Sequence, residues 1–354
     1  MAYSGGLNTS LCLHWLRHHR GVKVLAFIAD LGQGGDFEEI GEKVITLGAQ
    51  SVYHLNLRET FANEYILPAF RASVRSESGY FLSTAISRPL LIRELVKLAL
   101  KEGCSAIAHG ASIHSNDHLR FSEGITHLAP QIQIIAPHQE WDLETPEEKF
   151  RYAQRYHIPL QSEELSLEEE SNLWGRRISG GKLSQIDQDP PEEYYLWTRD
   201  PLKASATPLE IEIYFHHGIP IQINDRPLSF LKIIRILNRL GGRYGIGRMT
   251  LLENKLSGKK SHEISESPAA LILFLCHRAL EELTLDQETI QFQLLLSQKY
   301  TGLVYRGQWF SELREALDSF FLRTQKRVQG KIRFRLQRGI FTILGRSSEY
   351  SLYH

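Results

Sequence analysis

The run Ala2-Tyr3-Ser4-Gly5-Gly6-Leu7-Asn8-Thr9-Ser10 sets two glycines among hydroxyl residues and leads directly into an amphipathic helical pattern. Backbone amides beside Gly5 and Gly6, the hydroxyls of Ser4, Thr9 and Ser10, and the positive end of a helix dipole together suit the oxygens of a phosphate group. A glycine pair between a strand and a helix is also an ordinary tight turn, so the glycines alone do not decide the matter. Leu11, Trp15 and Leu16 share one helical face, which would anchor the loop to a sheet and makes Trp15 a core residue. No Ser-His-Asp or Cys-His arrangement for nucleophilic catalysis is legible. Cys12, Cys104 and Cys276 form no CxxC pair and read as buried thiols of a reducing compartment. His18-His19 and His216-His217 lie beside turn-like or basic segments and read as solvent-exposed.

Positioning such a loop needs a sheet, and the first half of the chain alternates strand and helix patterns. Val22–Ala29, Ser51–Leu57, Ser105–Ala108 and Ile132–Ala136 read as short buried strands. Asp36–Leu47 reads as a helix with Gly48 just past its end, and Ser83–Glu102 as a longer one that Pro89 should start or kink. This alternation predicts a doubly wound parallel sheet with ligands at the carboxyl ends of its strands. An acidic, turn-rich stretch from about Gln161 to Pro201 reads as a solvated connector. Beyond it the pattern is α+β. Ile211–Phe215 and Ile219–Ile223 form a predicted hairpin, helices cover roughly 228–240, 268–283, 286–301 and 311–325, and a closing hairpin turns at Arg338-Gly339.

A chain of 354 residues accommodates about two domains. Lysine plus arginine and aspartate plus glutamate both number 41, so there is no basic footprint for nucleic acid. No apolar run approaches the roughly 20 residues that span a bilayer, and no secretion signal is legible. The expectation is a cytoplasmic protein with neither nucleic-acid nor membrane partner.

The opening loop resembles the SGGxD(S/T)S loop of ATP pyrophosphatases, with Asn8 in place of the acid. Later segments extend the resemblance over nearly the whole chain to argininosuccinate synthases. These are Ile28-Ala29-Asp30-Leu31-Gly32-Gln33, Ala108-His109-Gly110, Asn116-Asp117 with Arg120-Phe121, Asn172-Leu173-Trp174-Gly175-Arg176, and Gly245-Ile246-Gly247-Arg248 with Glu253-Asn254. Gln298-Lys299-Tyr300, Trp309-Phe310-Ser311 and Leu313–Leu317 match a signature of the family's C-terminal domain.

The resemblance implies a nucleotide-binding domain over 1–162, of the ATP-pyrophosphatase (adenine nucleotide alpha hydrolase-like) type. A synthetase and multimerisation domain follows over 163–354. It also implies a ligase that uses ATP and Mg²⁺ to join citrulline and aspartate into argininosuccinate, releasing AMP and pyrophosphate, in arginine biosynthesis. By the same resemblance Ala2 to Ser10, Ala29 and Gly110 would contact ATP. Tyr80, Asn116, Arg120, Arg177, Glu253 and Ser265 occupy citrulline positions; Ser112, Asn116 and Asp117 occupy aspartate positions. Mg²⁺ would come with the ATP phosphates, without a firm protein ligand, and no residue is assigned as catalytic. The family's oligomeric state implies a homo-oligomer, a tetramer in the family.

Several residues depart from the family pattern. Asn8 removes a negative charge from the phosphate loop, Ile113 and Ser115 replace glycines, and His114 replaces a lysine. Glu168 and Arg177 stand at family serines and are expected to pair with each other or to exclude citrulline. Ala85 replaces another serine, and Ser265 a tyrosine. The family's apolar strand ahead of the loop is expected to be nearly absent, and its terminal helix missing. These departures leave a second reading open: a non-catalytic or substrate-shifted paralogue that keeps the fold.

Overall fold

The computed structural model describes residues 1–112, 115–143, 145–159 and 167–353. Ile113, His114 and the 162/163 domain boundary lie outside the described residues.

Strands β1 (Leu25–Asp30) and β2 (Ser51–Asn56) pair in parallel, as do β3 (Ala106–Ala108) and β4 (Gln133–Ile135). Residues 1–3 run between the two pairs. The Phe27 amide donates to Met1 O at 2.9 Å, the Tyr3 amide to Phe27 O at 2.9 Å, and the Ala2 amide to Ala108 O at 3.0 Å. The first strand, expected to be nearly absent, therefore occupies the central slot with a minimal backbone run. Spatial order is then β2, β1, residues 1–3, β3, β4, and the Gly5-Gly6 loop leaves from the point where the order reverses, the ligand position of doubly wound sheets. Helix Leu7–His19 buries Leu11, Cys12, Leu13 and Leu16 against this sheet.

Helix Ser83–Lys101 follows Leu82, whose φ is +48°, and carries Pro89 in its interior; the proline does not start it. Helix Asn116–Leu128 is capped by Ser115, whose hydroxyl accepts from the His118 amide.

The acidic connector is corrected by the structure. Leu167–Asn172 is a strand, β5, paired antiparallel with β6 (Gly175–Gly180). Alternation sends Glu169 to one face, against Arg176, and Glu170 to the other, towards Arg177 and Arg88. Charges that looked like a solvated run are cross-strand partners. β6 continues through β11 (Lys260–Glu266) to β10 (Arg248–Asn254), giving a four-stranded sheet. A five-stranded sheet orders β13 (Ile340–Ser347), β12 (Gly330–Gln337), β7 (Leu209–His216), β8 (Ile219–Ile223) and β9 (Arg226–Pro227). Helices Phe230–Arg243, Pro268–Thr284, Gln287–Tyr305 and Glu312–Thr324 complete this half. One hydrophobic core runs from Phe61 and Leu90 in the first half to Ile213, Leu273 and Phe334 in the second.

Candidate active site

Gly6 caps helix Leu7–His19 and Gly5 takes φ +86°, a conformation that suits glycine. The loop is braced from within. The Tyr3 and Ser10 hydroxyls share a hydrogen bond of 2.9 Å, and Ser10 Oγ and Thr9 Oγ1 both donate to Gly6 O at 3.0 Å. Lys43 Nζ donates to Gly5 O at 2.9 Å. Tyr3, Leu7 and Ser10 are buried, so their side chains hold the loop's shape. Ser4 is exposed and Asn8 and Thr9 half-buried, so these side chains and the glycine backbone form the open surface of the cradle. The Ala2 amide is spent on the sheet. The first helical turn has no acidic residue.

Ala29 is the penultimate residue of β1, beside a turn built by side chains. Gln33 Nε2 donates to Ala29 O at 2.7 Å, and Asp30 Oδ1 accepts from the Gly32 amide at 2.9 Å and Arg58 Nε at 2.8 Å. Gly110 abuts the cradle: a Cβ there would stand 3.0 Å from Thr9 Cγ2. Its carbonyl oxygen lies 3.1 Å from His138 Nε2.

His109 is fully buried, stacks on Phe121 and accepts from the Ala111 amide through Nδ1 at 3.3 Å; its Nε2 has no partner among the described residues. Burial, then the neighbouring His118, pushes the His109 pKa down from 6.5 to about 4. Burial likewise takes His138 and His14 to about 4. Between roughly pH 6.5 and 4 the unfolded chain binds protons that these rings refuse, so stability falls as pH drops through that window. Urea midpoints at about pH 7.5 and about pH 5 should differ, and His109→Asn should narrow the gap, a buried ring of this kind contributing on the order of 2 kcal/mol. Equal midpoints in the parent protein would overturn this.

Ion pairs alternate along a continuous chain that joins β11, β6 and β5 to helices Ser83–Lys101 and Asn116–Leu128. Arg177 Nη1 donates to both Glu263 carboxylate oxygens at 2.9 and 2.8 Å, and its Nη2 lies 3.6 Å from Glu170. Glu170 contacts Arg88; Arg88 Nε and Nη2 donate to Asp117 Oδ2 at 2.8 and 2.5 Å; Arg120 Nη1 donates to Asp117 Oδ1 at 2.7 Å. Thr84 Oγ1 donates to Glu170 at 2.6 Å, and the Tyr80 hydroxyl bonds to Thr84 and Ser83. Burial alone would raise the Asp117 carboxyl; the Arg88 and Arg120 guanidinium groups outweigh it and hold the group well below the usual carboxylate range. Burial pushes the Tyr80 phenol up, so it stays protonated.

The structure thus links Tyr80, Asp117, Arg120 and Arg177 in one network. Asn116 joins at its edge: Nδ2 donates to the Tyr305 hydroxyl at 2.9 Å, and Oδ1 accepts from the Leu256 amide at 2.9 Å. Glu253 lies further along, accepting from Ser76 Oγ at 3.2 Å and Ser78 Oγ at 2.8 Å. Ser265 is buried opposite Arg177 in the β11–β6 register, with its hydroxyl against Ser267. Ser112 is half-buried, and its carbonyl accepts from the Ser115 amide and hydroxyl.

The expected Glu168–Arg177 pair does not form. Glu168 is exposed, with Ser179 opposite it, and Arg177 takes Glu263 and Glu170 instead. Sequence reasoning missed Arg88, Glu170, Thr84 and Glu263. The sequence signal for Glu170 is its place two residues before Asn172, in a segment whose composition reads as a connector.

A family model described as the arginosuccinate synthase N-terminal HUP domain matches residues 1–159, and one described as the arginosuccinate synthase C-terminal domain matches residues 167–354. The argininosuccinate synthase of Dictyoglomus turgidum is 44% identical over 356 residues, covering 100% of this chain and 88% of that protein. The argininosuccinate synthase of Caldanaerobacter subterraneus subsp. tengcongensis is 41% identical over 355 residues, covering 100% of this chain and 87% of that protein.

Proposed function

The chain belongs to the argininosuccinate synthase family, and on that premise we propose that it is an ATP-dependent carbon–nitrogen ligase that joins citrulline to aspartate in arginine biosynthesis. The observation that carries this reading is the phosphate cradle at the sheet's reversal point, packed against Gly110.

In the first step the ureido oxygen of citrulline bonds to the α-phosphorus of ATP and pyrophosphate leaves. The aspartate amine, having lost a proton, then bonds to the ureido carbon, and the C–O bond to AMP breaks. Positioning the substrates and stabilising phosphate charge carry such a reaction. The amides around Gly5 and Gly6, with Ser4, Asn8 and Thr9, would hold the phosphates, and Ala29 and Gly110 the adenosine. An amino-acid substrate needs a cation for its carboxylate and an anion for its ammonium. Arg120 and Glu253 supply that pair, with Tyr80, Asn116, Arg177 and Ser265 around citrulline, and Ser112, Asn116 and Asp117 at aspartate.

Asn8 offers a neutral oxygen where a carboxylate would favour a hard divalent cation. Mg²⁺ would enter with the ATP phosphates as part of the substrate. The nucleotide-binding and synthetase domains would divide near 162/163. Exposed Phe292, Leu294, Leu295 and Leu322 on adjacent helices support a homo-oligomer, which would be a tetramer by family. The enzyme would work in the cytoplasm.

Pyrophosphate release from ATP should require citrulline, and argininosuccinate should appear only when aspartate is added. Tight ATP binding without turnover would sink this reading. In the same assay Asn8→Asp should raise kcat by about tenfold, the scale of one charge-assisted contact realised at the leaving phosphate. An unchanged kcat would mean that this position does not limit the reaction.

A further inference from the structure

A cavity of about 380 Å³ opens where the Ala29–Gln33 turn meets the second half of the chain. Its lining carries Arg58, Arg235 and Arg239 and, among the described residues, no acidic one. The whole chain is formally neutral, so three arginines on one cavity are a local concentration of cations. Arg58 is partly neutralised by Asp30, which it contacts through Nε at 2.8 Å and Nη2 at 2.6 Å. Arg235 and Arg239 are one helical turn apart on Phe230–Arg243, both exposed, and neither joins an ion pair among the described residues. Like charges at this spacing repel, a cost that a bound anion reverses.

The rest of the wall is rigid. Asn238 Nδ2 donates to Leu173 O at 2.9 Å, and its Oδ1 accepts from the Ala269 amide at 2.9 Å. The Leu173 amide donates to Leu31 O at 2.9 Å. Trp197 also lines the cavity and is half-buried; its indole joins no ring or cation–ring contact among the described residues, so it is available to stack. None of the residues assigned above to ATP, citrulline or aspartate lines this cavity.

We propose that this cavity is a second ligand site, taking a nucleoside monophosphate with its phosphate on Arg235 and Arg239 and its base against Trp197. Its volume suits a small ligand, and arginine forks with an aromatic face are the chemistry that recognises a phosphate joined to a flat ring. The site draws on both halves of the chain, so occupancy would tie the Ala29–Gln33 turn to the helix bearing Arg235. The assignment does not depend on the reaction proposed above.

The test is photo-cross-linking of the full chain with 8-azido-AMP, with adducts mapped by mass spectrometry. Adducts on the peptides bearing Trp197 or Arg235–Arg239 are expected. The double variant Arg235→Ala/Arg239→Ala, at exposed positions, should lower them at least about tenfold, as loss of two charge-assisted contacts implies. Adducts near Gly6 or Gly110 should be unaffected by that variant. Labelling confined to the phosphate loop, or labelling at Trp197 that survives the double variant, would overturn the proposal. Absence of label at the loop alone would count against the active-site reading and leave this one standing.

Discussion

Arg88→Ala is expected to lower kcat/KM for aspartate and for citrulline by about a hundredfold or more, with KM for ATP nearly unchanged. Arg88 is the middle of the charge chain: its guanidinium contacts Asp117 on one side and Glu170 on the other. Removing it leaves two carboxylates facing each other in a largely buried space with no cation between them, and a stranded buried charge costs far more than a surface pair. Asp117 would keep only Arg120, so its carboxylate would no longer be pinned through both oxygens.

The pH profile separates this positioning role from a merely structural one. Burial favours the neutral Asp117 carboxyl, and Arg88 is the strongest of the influences that hold it ionised. Without Arg88 the group's pKa rises, so the acid limb of kcat/KM should move to higher pH. Arg88→Lys should recover only part of the loss, since one ammonium cannot put two donors on Asp117 Oδ2 while also reaching Glu170. A kcat/KM for aspartate within twofold of the parent, or an acid limb that does not move, would refute the assignment.

Local pattern carried much of this architecture. The parallel strands, the Gly5-Gly6 cradle and the hairpin closing at Arg338-Gly339 all follow from periodicity and turn chemistry, and each stands within a few residues of its expected place. Three strands absent from the sequence reading share one cause. β5, β10 and β11 carry Glu170, Glu253, Glu263 and Ser265 on positions that a structural strand would fill with valine or isoleucine. Charged residues on these strands erase the apolar alternation by which strands are read, and the strands carry residues of the candidate site. Burial of Glu263 is intelligible only with Arg177, 86 residues away in sequence. No local window contains that pair. The same holds for Arg177→Ser: made alone, it would leave the fully buried Glu263 without its main partner, so Glu263→Gln must accompany it before any change in citrulline affinity can be read.

The motif arginines teach the converse lesson. Arg176 and Arg248, which stand out in the sequence beside glycines, are not at the charge chain. Arg248 Nη1 and Nη2 donate to Glu192, and its guanidinium lies 3.8 Å from the Tyr195 ring centroid. Arg176 donates to Glu169, to Tyr194 O and to Glu266. Both fasten the 192–198 segment to the four-stranded sheet, and that segment brings Trp197 to the arginine-lined cavity.

Glu266 is the centre of that fastening, and Glu266→Ala should be the most destabilising single change in this half of the chain. The residue is 1% exposed. Its carboxylate accepts from the Leu196, Trp197 and Thr198 amides at 3.0, 2.9 and 2.8 Å, from Thr198 Oγ1 at 2.7 Å, and from Arg176 Nη1 at 2.7 Å. Alanine would leave all of these donors facing a void, including a guanidinium whose side chain is 3% exposed. The expected cost is about 3–5 kcal/mol, the scale for breaking one side of a buried ion pair. For a unit of this size that corresponds to an apparent Tm lower by roughly 10 °C. Glu266→Gln should cost less, because it keeps the volume and one acceptor, yet it must turn an NH2 group towards groups that themselves donate. Arg176→Met removes the cation instead and leaves the amide donors satisfied, so its loss should fall below that of Glu266→Ala. A scan in which Glu266→Ala shifts the transition by less than the Arg176→Met change would show that the arginine, and not the carboxylate, organises the segment.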